Sequence, residues 1–213
     1  GRWKYGTPPT GNANYAWLQH MIYHLSPKGR AGVVLSKGAL TTKSGGEYEI
    51  RKNMIEDGVI DCIVNLPTKL FLNTQIPAGL WFLNRDSSRL KKGEILFIDA
   101  RNLGFLVNRR TREFTAEDIA KVTETYHHWL NSRDEYEDVP GFCKSCTIEE
   151  IAKLDYVLTP GRYIGLPDDD EDFDISKKLE QLTSELKEQM AQEIILNHRI
   201  LNNLSQVEEV ENE

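Results

Sequence analysis

The sequence predicts an α/β fold, mainly because two apolar segments each follow a helical pattern. Arg30–Ser36 and Val59–Leu66 are short apolar runs without alternation, which is typical of strands buried on both faces of a parallel sheet. A helical pattern precedes each run, over residues 12–25 and 47–56. This repeated order of helix and strand predicts a doubly wound sheet with right-handed crossovers between parallel strands.

Two more strands are expected after these. Pro77–Arg85 is a third apolar run, and the loop before it, residues 68–76, is too short to hold a crossover helix. The third strand is therefore expected to run antiparallel to the second. Glu94–Ala100 predicts a fourth strand.

The helices that follow are predicted from their first residues. A helix is expected over 115–130, because Thr115 and Asp118 resemble a capping box with Asp in place of Glu. A short helix is expected over 147–153, and Leu158–Gly165 is expected to be extended.

Composition and charge limit the possible functions. Of the 213 residues, 39% are apolar and 28% are charged, the balance of a globular protein. The net charge of −7 argues against binding DNA by bulk electrostatics, which requires a surplus of Lys and Arg. Residues 167–174 and the last seven residues are rich in acidic side chains, whereas residues 1–165 are close to neutral. The body of the chain can therefore still contact DNA.

Cysteine content and the lack of targeting signals predict a cytoplasmic location. No run of about 18 apolar residues is present, and residues 1–4 do not form a hydrophobic signal region. The three cysteines, Cys62, Cys143 and Cys146, are an odd number without framework spacing, which suits a reducing compartment. Neither a membrane span nor secretion is predicted.

Two residue pairs could suggest a metal, but none is predicted. Cys143 and Cys146 form a lone CxxC, which could belong to a zinc site or could be two thiols in a loop. The second interpretation is preferred, since no second pair and no nearby His complete a site. His20 and His24 are one helical turn apart, again without a third ligand in range.

A long helix is predicted at the end of the chain, from about 176 to 207. Its apolar residues follow a heptad pattern with one stutter near Met190, and Asn197 falls within the pattern, where it could set the register. The stripe could fold back on its own domain, pair with a helix of another subunit, or pair with a second copy of this chain. The residues proposed for subunit assembly are Leu179, Leu182, Leu186, Met190, Ile194, Leu201 and Leu204.

Four phrases together resemble a known family. In order along the chain they are GNANYAWLQHMIYHLSPKGRAGVVLSKGAL, IRKNMIEDGVIDCIVNLPTKLFLNTQIPAGLWFLNR, ILFIDAR and YVLTPGRYIG. They resemble the C-terminal part of the modification subunit of type I restriction-modification systems, which are adenine-N6 DNA methyltransferases that use S-adenosylmethionine. The resemblance covers nearly all of residues 1–166.

The resemblance implies a fold: the C-terminal half of a Rossmann-like methyltransferase sheet, followed by helices. Ala31–Ser36 would be its fifth strand, Val59–Leu66 its sixth, and Ala78–Arg85 an antiparallel seventh that lies beside the fifth. It also implies three segments: residues 1–166 as part of the methyltransferase domain, 167–174 as an acidic linker, and 175–213 as a helix for subunit assembly.

The resemblance places the catalytic machinery outside this sequence. The Gly-rich turn that binds the cofactor and the catalytic Asn-Pro-Pro-Phe are both expected upstream of Gly1. Thr7–Thr10, Thr-Pro-Pro-Thr, offers neither the amide nor the aromatic ring of that tetrad, so we interpret it as a loop before a helix. No catalytic residue is assigned, and the fragment alone is expected to be inactive.

The resemblance also suggests residues near the DNA. Phe71 is expected near the flipped adenine, although it could equally plug the end of the sheet, and Asn73 and Thr74 are expected to make polar contacts there. A cluster of four arginines is expected to contact phosphates, although a simple solvated hairpin is the somewhat favoured interpretation. These are Arg101, Arg109, Arg110 and Arg112.

The implied partners are double-stranded DNA and the specificity and restriction subunits of a type I complex. A homodimer through the C-terminal helix is a further possibility. An alternative function is a non-catalytic binding or assembly module that uses the methyltransferase sheet as a scaffold.

Overall fold

The computed structural model describes residues 1–131, 136–166 and 175–210. The chain divides into two compact units, the first ending at Pro167 and the second beginning at Asp168. Residues 167–174, the predicted acidic linker, lie outside the described residues.

The first unit alternates helices and strands in its first half. Its described helices are α1 (Asn14–His24), α2 (Glu47–Glu56), α3 (Ala116–Asn131) and α4 (Ile148–Lys153). Its described strands are β1 (Arg30–Ser36), β2 (Ile60–Asn65), β3 (Ala78–Asn84), β4 (Glu94–Asp99), β5 (Phe105–Leu106), β6 (Arg112–Glu113) and β7 (Cys143–Thr147). Short 3₁₀ turns lie at Lys37–Leu40, Ser44–Gly46 and Pro160–Arg162.

Within the described residues, five strands form one sheet in the order β1-β3-β2-β4-β7. Strand β3 lies between β1 and β2 and is antiparallel to both, with Val33 and Ile63 each opposite Trp81. Strand β4 is parallel to β2, and β7 is antiparallel to β4. The predicted α/β class and the antiparallel strand beside the first are thus confirmed.

Strands β1, β2 and β4 run in the same direction, which gives the sheet two distinct edges. We call the side where these three strands end the carboxyl edge, and the side where they begin the amino edge. The loops that follow the three strands therefore gather at the carboxyl edge.

Two apolar layers cover the sheet. One contains Tyr15 of α1, Met54 of α2 and Trp81 of β3, all fully buried, and the Tyr15 and Trp81 rings meet edge to face at 6.3 Å. The other contains Cys62 of β2 and Trp129 of α3. Helices α1 and α2 thus pack on one face and α3 on the other, as expected for a doubly wound sheet.

Helices α3 and α4 begin at capping threonines. The Asp118 amide donates to Thr115 Oγ1 at 3.1 Å, and the Thr115 amide donates to Asp118 Oδ2 at 2.9 Å. At α4, Thr147 and Glu150 form a full capping box. The extended segment expected over 158–165 is instead interrupted by the 3₁₀ turn at Pro160–Arg162.

The prediction that β1 is buried on both faces is wrong. Val33 is buried, but Gly32 and Val34 on the other face are exposed, and within the described residues β3 is the sole strand paired with β1. An edge strand covered on one face has the same apolar sequence as a central strand. The sequence pattern therefore cannot separate the two.

The prediction that the CxxC cysteines lie in a loop is also wrong, because both belong to β7. Residues three apart on a strand point to opposite faces, and Cys143 accordingly packs in one apolar layer and Cys146 in the other. The two sulfur atoms cannot converge on one ion.

The second unit contains helix α5 (Ile175–Val210), whose 36 residues extend over about 54 Å. Of the residues predicted for assembly, those with described side chains are at least half exposed. They are Leu179, Leu182, Leu186, Met190, Ile194 and Leu201. The side chain of Leu204 lies outside the described residues. No described helix is long and apolar enough to cross a membrane.

Candidate functional site

The carboxyl edge carries the polar and basic residues that the sequence singles out near the sheet. In open α/β sheets, ligands bind in the crevice beyond the carboxyl ends of the strands. The segments following β1, β2 and β4 all belong to this edge. It is therefore the candidate functional site of the first unit.

The loop between β2 and β3 presents Phe71 half-buried. Its ring packs against the apolar layer beneath α3, and its carbonyl accepts a hydrogen bond from the Thr74 amide at 3.4 Å. Leu72 is 93% exposed and Ile76 is 63% exposed, so the loop holds apolar side chains in solvent. Phe71 thus anchors the loop while part of its ring remains accessible.

Asn73 and Thr74 lie at the tip of this loop. Both are exposed, and Thr74 Oγ1 accepts a hydrogen bond from the Ile76 amide at 3.1 Å. Within the described residues, the Asn73 side chain has no hydrogen-bond partner. Its amide is free to contact a ligand.

Arg112 joins this loop to the β5–β6 hairpin. Its backbone amide donates to the Lys69 carbonyl at 2.8 Å, and Lys69 has a left-handed φ of 67°. Its Nη1 donates to the carbonyls of Leu103 and Gly104, both at 2.9 Å. Arg112 therefore holds the hairpin against the β2–β3 loop, and part of its hydrogen-bonding capacity is used within the fold.

Arg101 is also paired within the fold. Its Nε donates to both carboxylate oxygens of Asp99 at 2.8 Å, and its Nη2 lies 2.5 Å from Oδ2. The hydrogen bonds to Asp99 raise the pKa of Arg101 above its usual value. Asp99 is buried while Arg101 is half-exposed, so the outer side of the guanidinium still faces solvent.

Lys37 adds a positive charge close to this pair, and sequence reasoning missed it. It directly follows β1 and is half-buried. Burial, and then the charge of Arg101, lower the pKa of Lys37. An anion bound here would be favoured, because it would offset the repulsion between the two cations.

Asn65 is a second residue that the sequence reasoning missed. It ends β2, lies opposite Asp99 and Gly79 in register, and is almost fully buried. Its Oδ1 has no hydrogen-bond partner among the described residues. An unpaired buried acceptor lowers the stability of the fold by about 1–3 kcal/mol. Such a group in a native structure often has a functional role. The position of Asn65 at a strand's carboxyl end is the signal that could have identified it.

Arg109 and Arg110 occupy the tip of the hairpin. Both are exposed, and neither forms an ion pair with a described residue. Asn108 Oδ1 accepts hydrogen bonds from the amides of Arg110 and Thr111, at 2.8 and 2.9 Å. The backbone of the tip is thus held by Asn108 and the two guanidinium groups are available for a ligand.

The paired histidines of α1 lie on its exposed side. The His20 and His24 rings are 4.3 Å apart, and partial burial followed by the charges of His24 and Arg2 lower the pKa of His20. In the part of the chain that the structure describes, no group of three or more metal-binding side chains comes together.

The segment containing Thr7–Thr10 is an irregular loop before α1. Gln19 fastens its start: the Tyr5 amide donates to Gln19 Oε1 at 3.0 Å, and Gln19 Nε2 donates to the Gly6 carbonyl at 2.9 Å. No described strand precedes it.

A protein-family model matches most of the chain. The model, described as N-6 DNA Methylase, matches residues 1–172. The chain belongs to the N-6 DNA methylase family.

Curated relatives share long stretches of sequence with this chain. It is 52% identical over 204 residues to the type I restriction enzyme HindI methylase subunit of Haemophilus influenzae, covering 95% of this chain and 45% of that protein. It is 40% identical to the MjaIX methylase subunit of Methanocaldococcus jannaschii, covering 94% of this chain and 36% of that protein. The chain therefore spans less than half the length of these curated relatives.

A solved structure shows the same fold. The type I restriction-modification methyltransferase subunit from Streptococcus thermophilus superposes with a TM-score of 0.67 at 31% sequence identity. The match covers 76% of this chain and 33% of that chain.

Proposed function

We propose that this chain forms the target-side part of a type I DNA methyltransferase that methylates adenine N6 with S-adenosylmethionine. The observation that carries the proposal is the link between the β2–β3 loop and the arginine hairpin. The hydrogen bond from the Arg112 amide to the Lys69 carbonyl places the accessible ring of Phe71 and the free cations Arg109 and Arg110 on connected segments. One segment could contact a base while the other contacts phosphates.

The division of labour among the arginines follows from their contacts. Arg109 and Arg110 are unpaired and would contact the DNA backbone, which positions the duplex without reading its sequence. Arg101 and Lys37 would present a second positive site nearer the sheet. Arg112 would act mainly by holding the hairpin in place.

Phe71 would stack on the target adenine after the base leaves the duplex, since aromatic side chains commonly hold flipped bases. Asn73 and Thr74 would supply polar contacts from the same loop. In the complete methyltransferase, Phe71→Ala should slow methylation strongly. It should weaken binding of DNA that contains an abasic or mismatched target much less. Unchanged methylation would contradict a role for the ring.

The described residues are not expected to form a complete site for S-adenosylmethionine. S-adenosylmethionine carries ribose hydroxyls, which a free acidic side chain usually binds in Rossmann-like folds. Asp99 is bound to Arg101, and Glu47 is enclosed with Thr42 bonded to its Oε2. When bound, S-adenosylmethionine would supply the methyl group. Because both carboxylates are already bonded within the fold, titration calorimetry of the isolated chain should detect no micromolar binding of S-adenosylmethionine.

The exposed stripe of α5 is proposed to dock on the specificity subunit, and through it to join the restriction subunit. It presents apolar side chains over several helical turns with charged residues elsewhere, the pattern of a helix that packs against another helix. Leu182→Glu with Leu186→Glu should abolish co-purification with the specificity subunit. Retained co-purification would contradict it, and a self-association measured for the isolated chain would favour pairing of two copies instead. The complex would act in the cytoplasm.

The alternative is a non-catalytic module that uses this sheet as a scaffold. The exposed stripe of α5 favours it, because assembly does not require chemistry. The full open reading frame separates the two possibilities: a Gly-rich turn and an Asn-Pro-Pro-Phe upstream of residue 1 support the methyltransferase, and their absence supports the module.

A further inference from the structure

A cleft opens at the amino edge of the sheet, on the side away from the candidate functional site. Its volume is about 430 Å³, within the range of small-ligand pockets. Its walls come from the segment before α1, from α1 itself, from the turn after α2 and from the loop that follows β3. The six residues of β2 separate the two edges by about 20 Å, so a ligand in this cleft cannot touch the Phe71 loop.

The lining of the cleft is strongly basic, although the chain as a whole carries a net charge of −7. Asp57 is the carboxylate among its lining residues, against five cations. The cations are Arg2, Lys4, Arg85, Arg89 and Lys92. An excess of one sign in a concave site raises the local concentration of ligands of the opposite sign.

Two of the cations are neutralised by carboxylates. Lys4 Nζ lies 2.7 Å from Asp57 Oδ2, and the Tyr5 hydroxyl donates to the same oxygen at 2.7 Å. Arg89 Nε lies 2.6 Å from Asp61 Oδ1, and both of these side chains are buried. These pairs shape the cleft but leave little charge for a ligand.

No described carboxylate neutralises the other three cations. Arg2, Arg85 and Lys92 form no ion pair with any described residue. Arg85 Nη1 donates to the Leu25 carbonyl, which fixes the guanidinium at the wall, and its remaining N–H groups have no side-chain partner among the described residues. The stem of Lys92 lies over Gly58, whose φ is +64° and where an added Cβ would be 3.5 Å from Lys92 Cγ.

An aromatic ring completes the site. Tyr23 lines the cleft and is half-exposed, with the Arg2 guanidinium 6.0 Å from its ring centre. Guanidinium groups bind phosphates through paired, charge-assisted hydrogen bonds, and an exposed ring can stack with a base. Free cations, one ring and a volume of this size together match a mononucleotide.

We propose that this amino-edge cleft binds a phosphate-bearing ligand of nucleotide size, held by Arg85 and Lys92. The phosphate could belong to a free nucleotide or to a DNA backbone. The concave shape favours the free nucleotide, since a duplex needs an extended surface. This site is independent of the proposed methyltransferase function.

The test compares two variants with equal loss of charge. Arg85→Gln with Lys92→Gln removes the free cations of the cleft, and Arg109→Gln with Arg110→Gln removes two cations from the hairpin at the other edge. Calorimetric titrations with pyrophosphate, with ADP and with a short DNA duplex, at physiological ionic strength, measure binding to the chain and to each variant. Circular dichroism verifies that each variant is folded, and Lys92→Gln alone serves if the double variant is not.

The site is supported if the affinity for ADP or pyrophosphate falls by about tenfold or more in the cleft variant. In the hairpin variant the same affinity should stay within about twofold of that of the unaltered chain. A cleft variant that instead loses affinity only for a DNA duplex also supports phosphate recognition, and assigns the phosphate to DNA. Absence of binding by the folded chain to all three probes, or an equal loss of ADP and pyrophosphate affinity in both variants, overturns the proposal.

Discussion

Removal of the two free arginines at the hairpin tip tests the proposed DNA contact. Arg109→Ala with Arg110→Ala deletes two exposed cations that have no ion-pair partner among the described residues. The turn itself should persist, because Asn108 Oδ1 holds the backbone amides of Arg110 and Thr111. The variant should therefore remain folded and lose only charge.

The size of the effect follows from counterion release. Each phosphate neutralised by a cation contributes about 0.9 to the dependence of log K on log salt concentration, so two contacts contribute about 1.8. The variant should therefore bind DNA about 60-fold more weakly than the unaltered complex at about 0.1 M salt. Near 1 M salt the contribution from counterion release vanishes, and the two affinities should be equal. Because phosphates carry no sequence information, the loss should be the same for specific and nonspecific DNA.

The assay is fluorescence anisotropy of labelled duplexes with the complete methyltransferase complex, at several salt concentrations. The matched control is Lys28→Ala with Lys153→Ala, which removes two exposed cations elsewhere. The hairpin variant should show a smaller salt slope than the control. Equal slopes in the two variants, or unchanged affinity at low salt, would refute the assignment of Arg109 and Arg110.

Three further predictions concern the fold. Arg89→Met leaves the buried Asp61 without its cation and should destabilise the chain by about 3–5 kcal/mol in urea denaturation, whereas Arg89→Met with Asp61→Asn should recover much of that loss; equal stabilities of the two would contradict a coupled pair. Trp81→Ala should cost about 3–5 kcal/mol by the same measurement, because the ring is fully buried, and a cost below about 1 kcal/mol would show that the layer repacks. Burial opposes ionisation of Asp57, but hydrogen bonds from Lys4 and Tyr5 outweigh it and hold the pKa of Asp57 below its usual value. Its contribution is therefore present above pH about 4 and is lost as the pH falls, so Asp57→Asn should lower the melting temperature more at pH 7 than at pH 2.

Local patterns predicted the central elements because these elements depend on local chemistry. The short loop over 68–76 excludes a crossover helix, which is sufficient to predict that β3 is antiparallel to β2. Thr115 and Thr147 begin their helices through contacts within one turn. Such features involve few residues and little tertiary context.

Tertiary contacts determined what the sequence could not predict. Strand β7 is short, and its pairing with β4 makes it a strand. Whether β1 is covered on one face or on both depends on neighbours far away in sequence. Sequence alone grouped Arg101 and Arg112 with the free arginines. The structure shows that both are partly used by Asp99 and by backbone carbonyls.

The central claim is that the Phe71 loop meets the target base, and photocrosslinking measures this most directly. In the complete methyltransferase complex, DNA carrying 5-iodouracil in place of the target adenine should crosslink to residues 71–74 of this chain, and Phe71→Ala should reduce the yield while Lys28→Ala, which removes an exposed cation elsewhere, does not. Crosslinks at the target position that map elsewhere in this chain, with none in 71–74, would contradict the account.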